Sequence, residues 1–504
     1  MTIEPVRYRL LQGGTMKLMV TDEARIWYSF QPAAENPAEK PVAVFFNGGP
    51  GASTATLLNF NTGAKSLDTS MNGGDVVGPS PASWTSIANL LYIDARNVGF
   101  SYSIGRGDTG MALRNFNAYI DAGDFVRVVL RFLESHAPIS KTPVMIVGES
   151  YGGTRTALML NLLLHYKRYG GADANYRDDA LVAEIQAHLD KTFPKYAGTE
   201  VPSSVIAGQF GRQVLIEPYA MGDRQDIISG QMMELPGGPP YIVEQETGVD
   251  YQPCGGLSTS QCDPYTNVVT YMMKANRDAY AYTKSANWSD NREASVIPAL
   301  LTLDVFATLT GYDPAKIARM YSTERAQAYK KATSSGLYLD LPKFRPWLLD
   351  RQQRREALTA GAEAEFEKTF GTLNSYDGYF LNFSYDIYLL FNNPSEQYTM
   401  GDPSIGRRFL ENLLDVKTFI TNASLDVIVY PPSIPETAKS YDEIEGATVD
   451  GENIKIGFKK GSFGLTEATF RTIRFPAYTE SGHTVSVFQP VKLLDDVKAW
   501  MKEE

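Results

Sequence analysis

Thr142-Pro143-Val144-Met145-Ile146-Val147-Gly148-Glu149-Ser150-Tyr151-Gly152 decides how this chain folds. An apolar run of strand character stops at a glycine, and a second apolar stretch, Thr156 to Tyr169, continues with helical character. The segment reads as strand, sharp turn and helix, with Ser150 at the apex. Glycines on both sides suit that shape, because such a turn is strained and brings neighbouring backbone close, while the helix start aims N–H groups at the serine. Ser150 is the candidate nucleophile, and the bland alternative is an ordinary Gly-rich loop.

A serine between two such glycines, joining a strand to a helix, is the nucleophile elbow of an α/β-hydrolase. The expected fold class is therefore α/β: a mostly parallel central sheet flanked by helices. That fold orders its triad serine, acid, histidine, and the chain has four histidines. His136 precedes the serine, His165 lies on the helix that Ser150 starts, and His188 sits on what reads as a solvated helical face. His483 lies between the strand-like Thr472-Ile473-Arg474-Phe475 and a closing helix from Pro490 through Trp500. A loop at the carboxyl end of a late strand is where the base belongs. Lys417-Thr418-Phe419-Ile420-Thr421 supplies another strand end, and Asp426 follows it as the candidate acid. Taken alone Asp426 would read as a solvated loop aspartate, while Asp402, Asp415 and Asp442 lie farther from predicted strand ends.

In this arrangement Ser150 attacks a carbonyl carbon, His483 takes its proton and returns it to the leaving group, and Asp426 holds the imidazole in its working tautomer. An oxyanion hole needs the backbone N–H of Tyr151 and a second N–H from the loop after an early strand. Val42 to Phe46 is such a strand, and it runs into Asn47-Gly48-Gly49-Pro50-Gly51.

Four segments in order resemble the serine carboxypeptidases of the S10 family: Asn47-Gly48-Gly49-Pro50-Gly51-Ala52-Ser53, then Asn89 to Asp94 with Gly99-Phe100-Ser101-Tyr102-Ser103, then Gly148 to Gly152, then Gly482-His483. The resemblance implies an enzyme acting on a peptide or ester substrate without cofactor or metal. It also implies that Gly49 and Tyr151 donate to the oxyanion, while Asn47, Gly48 and Glu149 face the free carboxylate of a peptide's last residue. A carboxylate binds another only if one of the two is protonated, so recognition through Glu149 should strengthen in acid. The family places a second glutamate where this chain has Asn61, a further candidate for substrate binding, whose amide could donate to a carboxylate without acid. Other departures are Ala52 in place of a cysteine, Ala423-Ser424-Leu425-Asp426 in place of the usual G-D-x-D, and Gly153-Thr154-Arg155-Thr156 after the elbow. They mark a divergent, bacterial-type member.

The chain has 504 residues, a net charge of −11, 43% hydrophobic and 12% aromatic residues. That is long enough for a hydrolase core with a large insertion, and too acidic for nucleic acid, which wants a basic face. The basic run Arg351-Gln352-Gln353-Arg354-Arg355 reads as a solvated helical face. No apolar run approaches the ~20 residues of a membrane span, and Met1 to Leu11 lacks a secretory apolar core. The family suggests a secreted or periplasmic mature form; the alternative is a protein that stays inside. Cys254 and Cys262 could close one small disulfide or remain thiols, and two cysteines without paired histidines make a poor zinc site. Asn287-Trp288-Ser289 and Asn382-Phe383-Ser384 match a glycosylation sequon.

Lys17 to Val20 and Ile26 to Phe30 read as an opening hairpin, and strands alternate with helices, including one from Asn117 to Glu134, up to residue 219. Residues 1–219 and 401–504 form the expected core. Residues 220–400 read as a mainly helical cap whose aromatic cluster, Tyr376, Tyr379, Phe380, Phe383, Tyr385, Tyr388 and Phe391, is cap core rather than a subsite. Two classes of function fit: a serine hydrolase (carboxypeptidase, or esterase or acyltransferase with the same triad), and a catalytically silent hydrolase fold that only binds. The oligomeric state stays open, a homodimer included.

Overall fold

The structure, a computed structural model, describes residues 1–54, 57–67, 77–99, 101–104, 115–172, 174–233, 242–243, 250–251, 387, 390–391, 399–402, 404–423, 426, 429–479, 481, 483 and 485–503. Among these, nine strands make one sheet. In chain order they are β1 (Tyr28–Gln31), β2 (Val42–Phe46), β3 (Asn89–Ile93), β4 (Val144–Glu149), β5 (Arg212–Ile216), β6 (Lys417–Ile420), β7 (Ile444–Asp450), β8 (Asn453–Phe458) and β9 (Thr469–Arg474). Across the sheet they lie in the order β7-β8-β9-β6-β5-β4-β2-β3-β1. The six from β9 to β3 run parallel. The edge strands pair antiparallel. This is the α/β-hydrolase arrangement expected from the elbow.

Every residue of β2, β3 and β4 is buried. Continuous apolar runs such as Val42-Ala43-Val44-Phe45-Phe46 are what a parallel strand covered on both faces requires. The covering helices include α1 (Ala118–Ser135) and α2 (Gly152–Leu164), packed together, with α4 (Ser404–Asn412) also against α2. Further along come α5 (Ser433–Lys439) and α6 (Pro490–Lys502), and α3 (Asp223–Met233), from the start of the expected insertion, packs on α5. Asn117 ends the approach to α1 because its side-chain oxygen accepts from the N–H groups of Tyr119 and Ile120, satisfying two donors the helix itself cannot pair.

The chain lays β3 on one side of β2 and then β4 on the other. The strand order thus reverses at β2, and the carboxyl ends of the strands at such a reversal are where these sheets bind ligands. The elbow and the Asn47 loop sit there together.

The opening hairpin differs from expectation. Thr15–Val20 pairs antiparallel with Arg7–Gln12 across Gly13-Gly14, while β1 leaves this pair to join the main sheet against β3. Both glycines have positive φ, 55° and 77°, as a tight two-residue hairpin turn demands. The polar residues near Asp22 were the weaker turn signal. Most of 220–400 lies outside the described residues, and with it Arg351 to Arg355, Cys254, Cys262, both sequons and most of the aromatic cluster. Phe391 is described: it is buried, with its ring edge-on to Phe116 and Tyr151 at 5.5 Å from each. Among the described residues no helix is long and apolar enough to cross a membrane.

Candidate active site

Ser150 stands between β4 and α2 with φ of 59°, a left-handed conformation that costs a serine on the order of 1–3 kcal/mol and persists only where surroundings enforce it. They do. Ser150 N donates to Ile216 O at the end of β5 (2.9 Å), and Ser150 O accepts from Gly153 N (2.8 Å) and Tyr219 N (2.9 Å). A Cβ on Gly148 would come within 2.5 Å of Gly152 O, and one on Gly153 within 2.8 Å of Pro218 and of the Tyr219 carbonyl. Both glycines are therefore dictated by close approach of backbone.

The Asn47 loop lies directly against the elbow. A Cβ on Gly48 would sit 2.5 Å from Tyr151 N and 2.6 Å from Glu149 O, both backbone atoms that cannot move aside. Gly49 and Gly51 hold φ of 102° and 104°, which side chains rarely adopt. The Asn47 side chain closes the loop on itself, accepting from Gly48 N (2.7 Å) and donating to Ser53 O (3.3 Å). Asp94, at the end of β3, accepts from Ser53 Oγ (3.0 Å) and Thr54 N (2.9 Å). A Cβ at Gly99 would strike that same carboxylate. The second motif thus scaffolds the first.

His483 and Asp426, 57 residues apart, meet: Nδ1 of the imidazole lies 2.7 Å from Asp426 Oδ2. Asp426 Oδ1 accepts from Val429 N at 3.3 Å. With Nδ1–H given to the carboxylate, Nε2 carries the lone pair that a general base needs. Burial pulls the His483 pKa down, but the charge and hydrogen bond of Asp426, and the charge of Glu149, outweigh it and leave the pKa above the usual 6.5.

Glu149 is 2% exposed and its Oε2 has no hydrogen-bond partner among the described residues. Burial chiefly, with the Asp426 charge adding and His483 opposing, moves its pKa up to about 7. A carboxyl that is half neutral at neutral pH therefore adjoins the serine. Asn61 bonds to a different partner. It has φ of 71° on one wide helical turn, Leu58–Thr62, and its Nδ2 donates to Ser486 O (3.3 Å), beyond His483. No hydrogen bond joins it to Glu149 among the described residues.

The other histidines lie in structural settings: His136 Nδ1 is 2.8 Å from Phe132 O, His188 Nε2 is 2.9 Å from Gln209 Oε1, and His165 Nε2 is 4.0 Å from Glu411. Two residues near the site were not singled out in the sequence. Arg155, in the first turns of α2, donates from Nε to Asp121 Oδ2 on α1 (2.9 Å) and from Nη1 to Asn47 O (2.6 Å), while Tyr151 OH donates to the same Asp121 oxygen (3.2 Å). Arg155 and Asp121 are each 2% exposed, and the guanidinium lies 4.5 Å from the Phe125 ring centroid. One buried cation thus braces the Asn47 loop and the residue after the serine. The only sequence signal was that Gly153-Thr154-Arg155-Thr156 departs from the family run. Glu217, after β5, is the second.

Comparison with known proteins agrees with the motifs over the first third of the chain. The sequence pattern of the serine carboxypeptidase family matches residues 9–175. Serine carboxypeptidase-like 5 of Arabidopsis thaliana is 27% identical over 149 residues, 28% of this chain and 32% of that protein. Serine carboxypeptidase-like 20 of the same plant is 31% identical over 133 residues, a quarter of each chain. The match thus spans about a third of these relatives' length or less. Among solved structures, Kex1(delta)p, a prohormone-processing carboxypeptidase from Saccharomyces cerevisiae, aligns over 95% of this chain and 86% of its own with 12% identity and a TM-score of 0.44.

Proposed function

We propose that this chain is a serine-dependent hydrolase, a divergent, bacterial-type serine carboxypeptidase that releases C-terminal residues from peptides through an acyl-enzyme on Ser150. Ser150 Oγ attacks the last peptide carbonyl, and His483, held by Asp426, takes the proton and passes it to the leaving amine. The N–H groups of Gly49 and Tyr151 receive the oxyanion, and water then releases the acyl group by the same steps in reverse order. Asn47, Gly48 and Glu149 receive the substrate's terminal carboxylate.

One observation carries the exopeptidase part: a buried, near-neutral Glu149 beside the serine with one oxygen unpartnered. Such a carboxyl can donate to a carboxylate, whereas an ionised one would repel it. The position of Asn61 favours a second reading, an esterase or acyltransferase using the same triad, because it leaves Glu149 without the partner that the family pattern provides. Digestion of a mixed peptide set followed by mass spectrometry separates the two. Ladders shortened by single C-terminal residues are expected; internal cuts, or turnover of esters alone, would exclude the carboxypeptidase.

A further inference from the structure

Glu217 follows β5 directly, and the residue before it, Ile216, supplies the carbonyl that fixes Ser150 N. It is fully buried in a left-handed conformation, φ of 44°, where a glutamate is placed only by its contacts. Those contacts all run to the segment bearing Asp426. Glu217 N donates to Thr421 Oγ1 (2.9 Å), the Thr421 hydroxyl donates back to Glu217 Oε1 (2.6 Å), and Ala423 N donates to that same oxygen (3.0 Å). Oε2 is equally buried but receives no N–H or O–H. After burial, the Asp426 carboxylate is the strongest influence on Glu217.

Two carboxylates cannot share a hydrogen bond unless one carries a proton, and Asp426 must stay ionised to hold the imidazolium. We infer that Glu217 is a positioning residue: a neutral carboxylic acid whose Oε2–H donates to Asp426 and holds that carboxylate in register with His483 Nδ1. The inference rests on the triad proposed above and extends it by a fourth member.

The surroundings are consistent. Burial first, then the charge of Asp426, push the Glu217 pKa well above the ordinary carboxyl range, and the bonds from Thr421 and Ala423 only partly oppose this. Among the described residues, the titratable groups acting on the pair are His483 and Glu149 on the Asp426 side and Tyr478, whose hydroxyl donates to Asp496 (2.9 Å), on the Glu217 side. Among the described residues, no cation is one of the groups that act most strongly on Glu217. Ionised, it would add a second negative charge behind Asp426 and keep His483 protonated when it should be a free base.

The test compares Glu217→Gln with Glu217→Ala. The amide keeps an acceptor for Thr421 and Ala423 and offers an N–H to Asp426, so fluorophosphonate labelling of Ser150 and its acid limb should stay within about threefold of wild type, whereas Glu217→Ala should label at least about tenfold more slowly. The downfield proton resonance of His483 Nδ1–H should persist in Glu217→Gln and shift or broaden in Glu217→Ala. Equal damage in both variants, or wild-type labelling with an unchanged resonance in Glu217→Ala, would overturn the inference. Should Glu217→Ala not fold, infrared difference spectra decide instead. At about pH 9, where Glu149 is ionised, wild type should retain a protonated-carboxyl stretch that Glu217→Gln lacks; its absence from wild type would refute the neutral acid. Labelling that survives Ser150→Ala would defeat the triad itself, a distinct outcome.

Discussion

Glu149 and His483 couple through space, so the proton on one sets the readiness of the other. The negative charge of Glu149 helps to raise the His483 pKa, and the histidine works as a base only above that pKa. For an ester without a carboxylate, kcat/KM should therefore fall on the acid side with an apparent pKa above 6.5 that belongs to the pair. Glu149→Gln removes one of the influences that raise it. The limb should then move to lower pH, read by a pH–rate profile on the same ester; an unmoved or upward-shifted limb would disconnect the two groups. Ser150, Asp426 and His483 could be picked out as candidates in the sequence because each follows a strand, and Ser150 most sharply because the buried run Val144–Glu149 leads straight into it. Glu217 was not, since its role depends on Thr421 and Ala423, some 200 residues away, and no local pattern announces such a contact.

At the level of elements, the site is a junction of loops braced from beneath by α1 and α2. Arg155 links them: α2 supplies the guanidinium, α1 supplies Asp121, and the Asn47 loop supplies the carbonyl. Arg155→Met would leave Asp121 buried without its partner and Asn47 O without a donor. Breaking a buried pair on one side costs about 3–5 kcal/mol, so a large fall in Tm is expected from calorimetry. Where the variant folds, kcat should drop more than KM rises, because the oxyanion donors are mispositioned while the crevice remains. A stable Arg155→Met with unchanged kcat would show that the loop holds itself. Strand positions were readable from burial on both faces, but the opening hairpin was not: either of two neighbouring segments could have paired with Thr15–Val20, and the Gly13-Gly14 turn decided it. Arg155 escaped notice because an arginine in a helix reads as a solvated face unless something shows that it is buried.

For the molecule as a whole, the neutral carboxyl beside the serine has a cost in stability that depends on pH. The folded chain holds the Glu149 proton up to about 7, whereas the unfolded chain releases it near the ordinary 4.5. The folded state thus binds the extra proton between these values, and stability falls as pH rises through that window, reaching its full penalty above it. Glu149→Gln should unfold like wild type below pH 4.5 and be more stable by up to about 3 kcal/mol at pH 8, measured by denaturant titration at both values. The same proton carries the claim about function. The most direct measurement is kcat/KM against pH for one peptide in two forms, C-terminal acid and C-terminal amide. Below about pH 7 the acid should be preferred by ~1–3 kcal/mol, with the advantage shrinking as Glu149 ionises. Equal rates for the two forms at every pH would contradict carboxylate recognition and leave a hydrolase of another specificity.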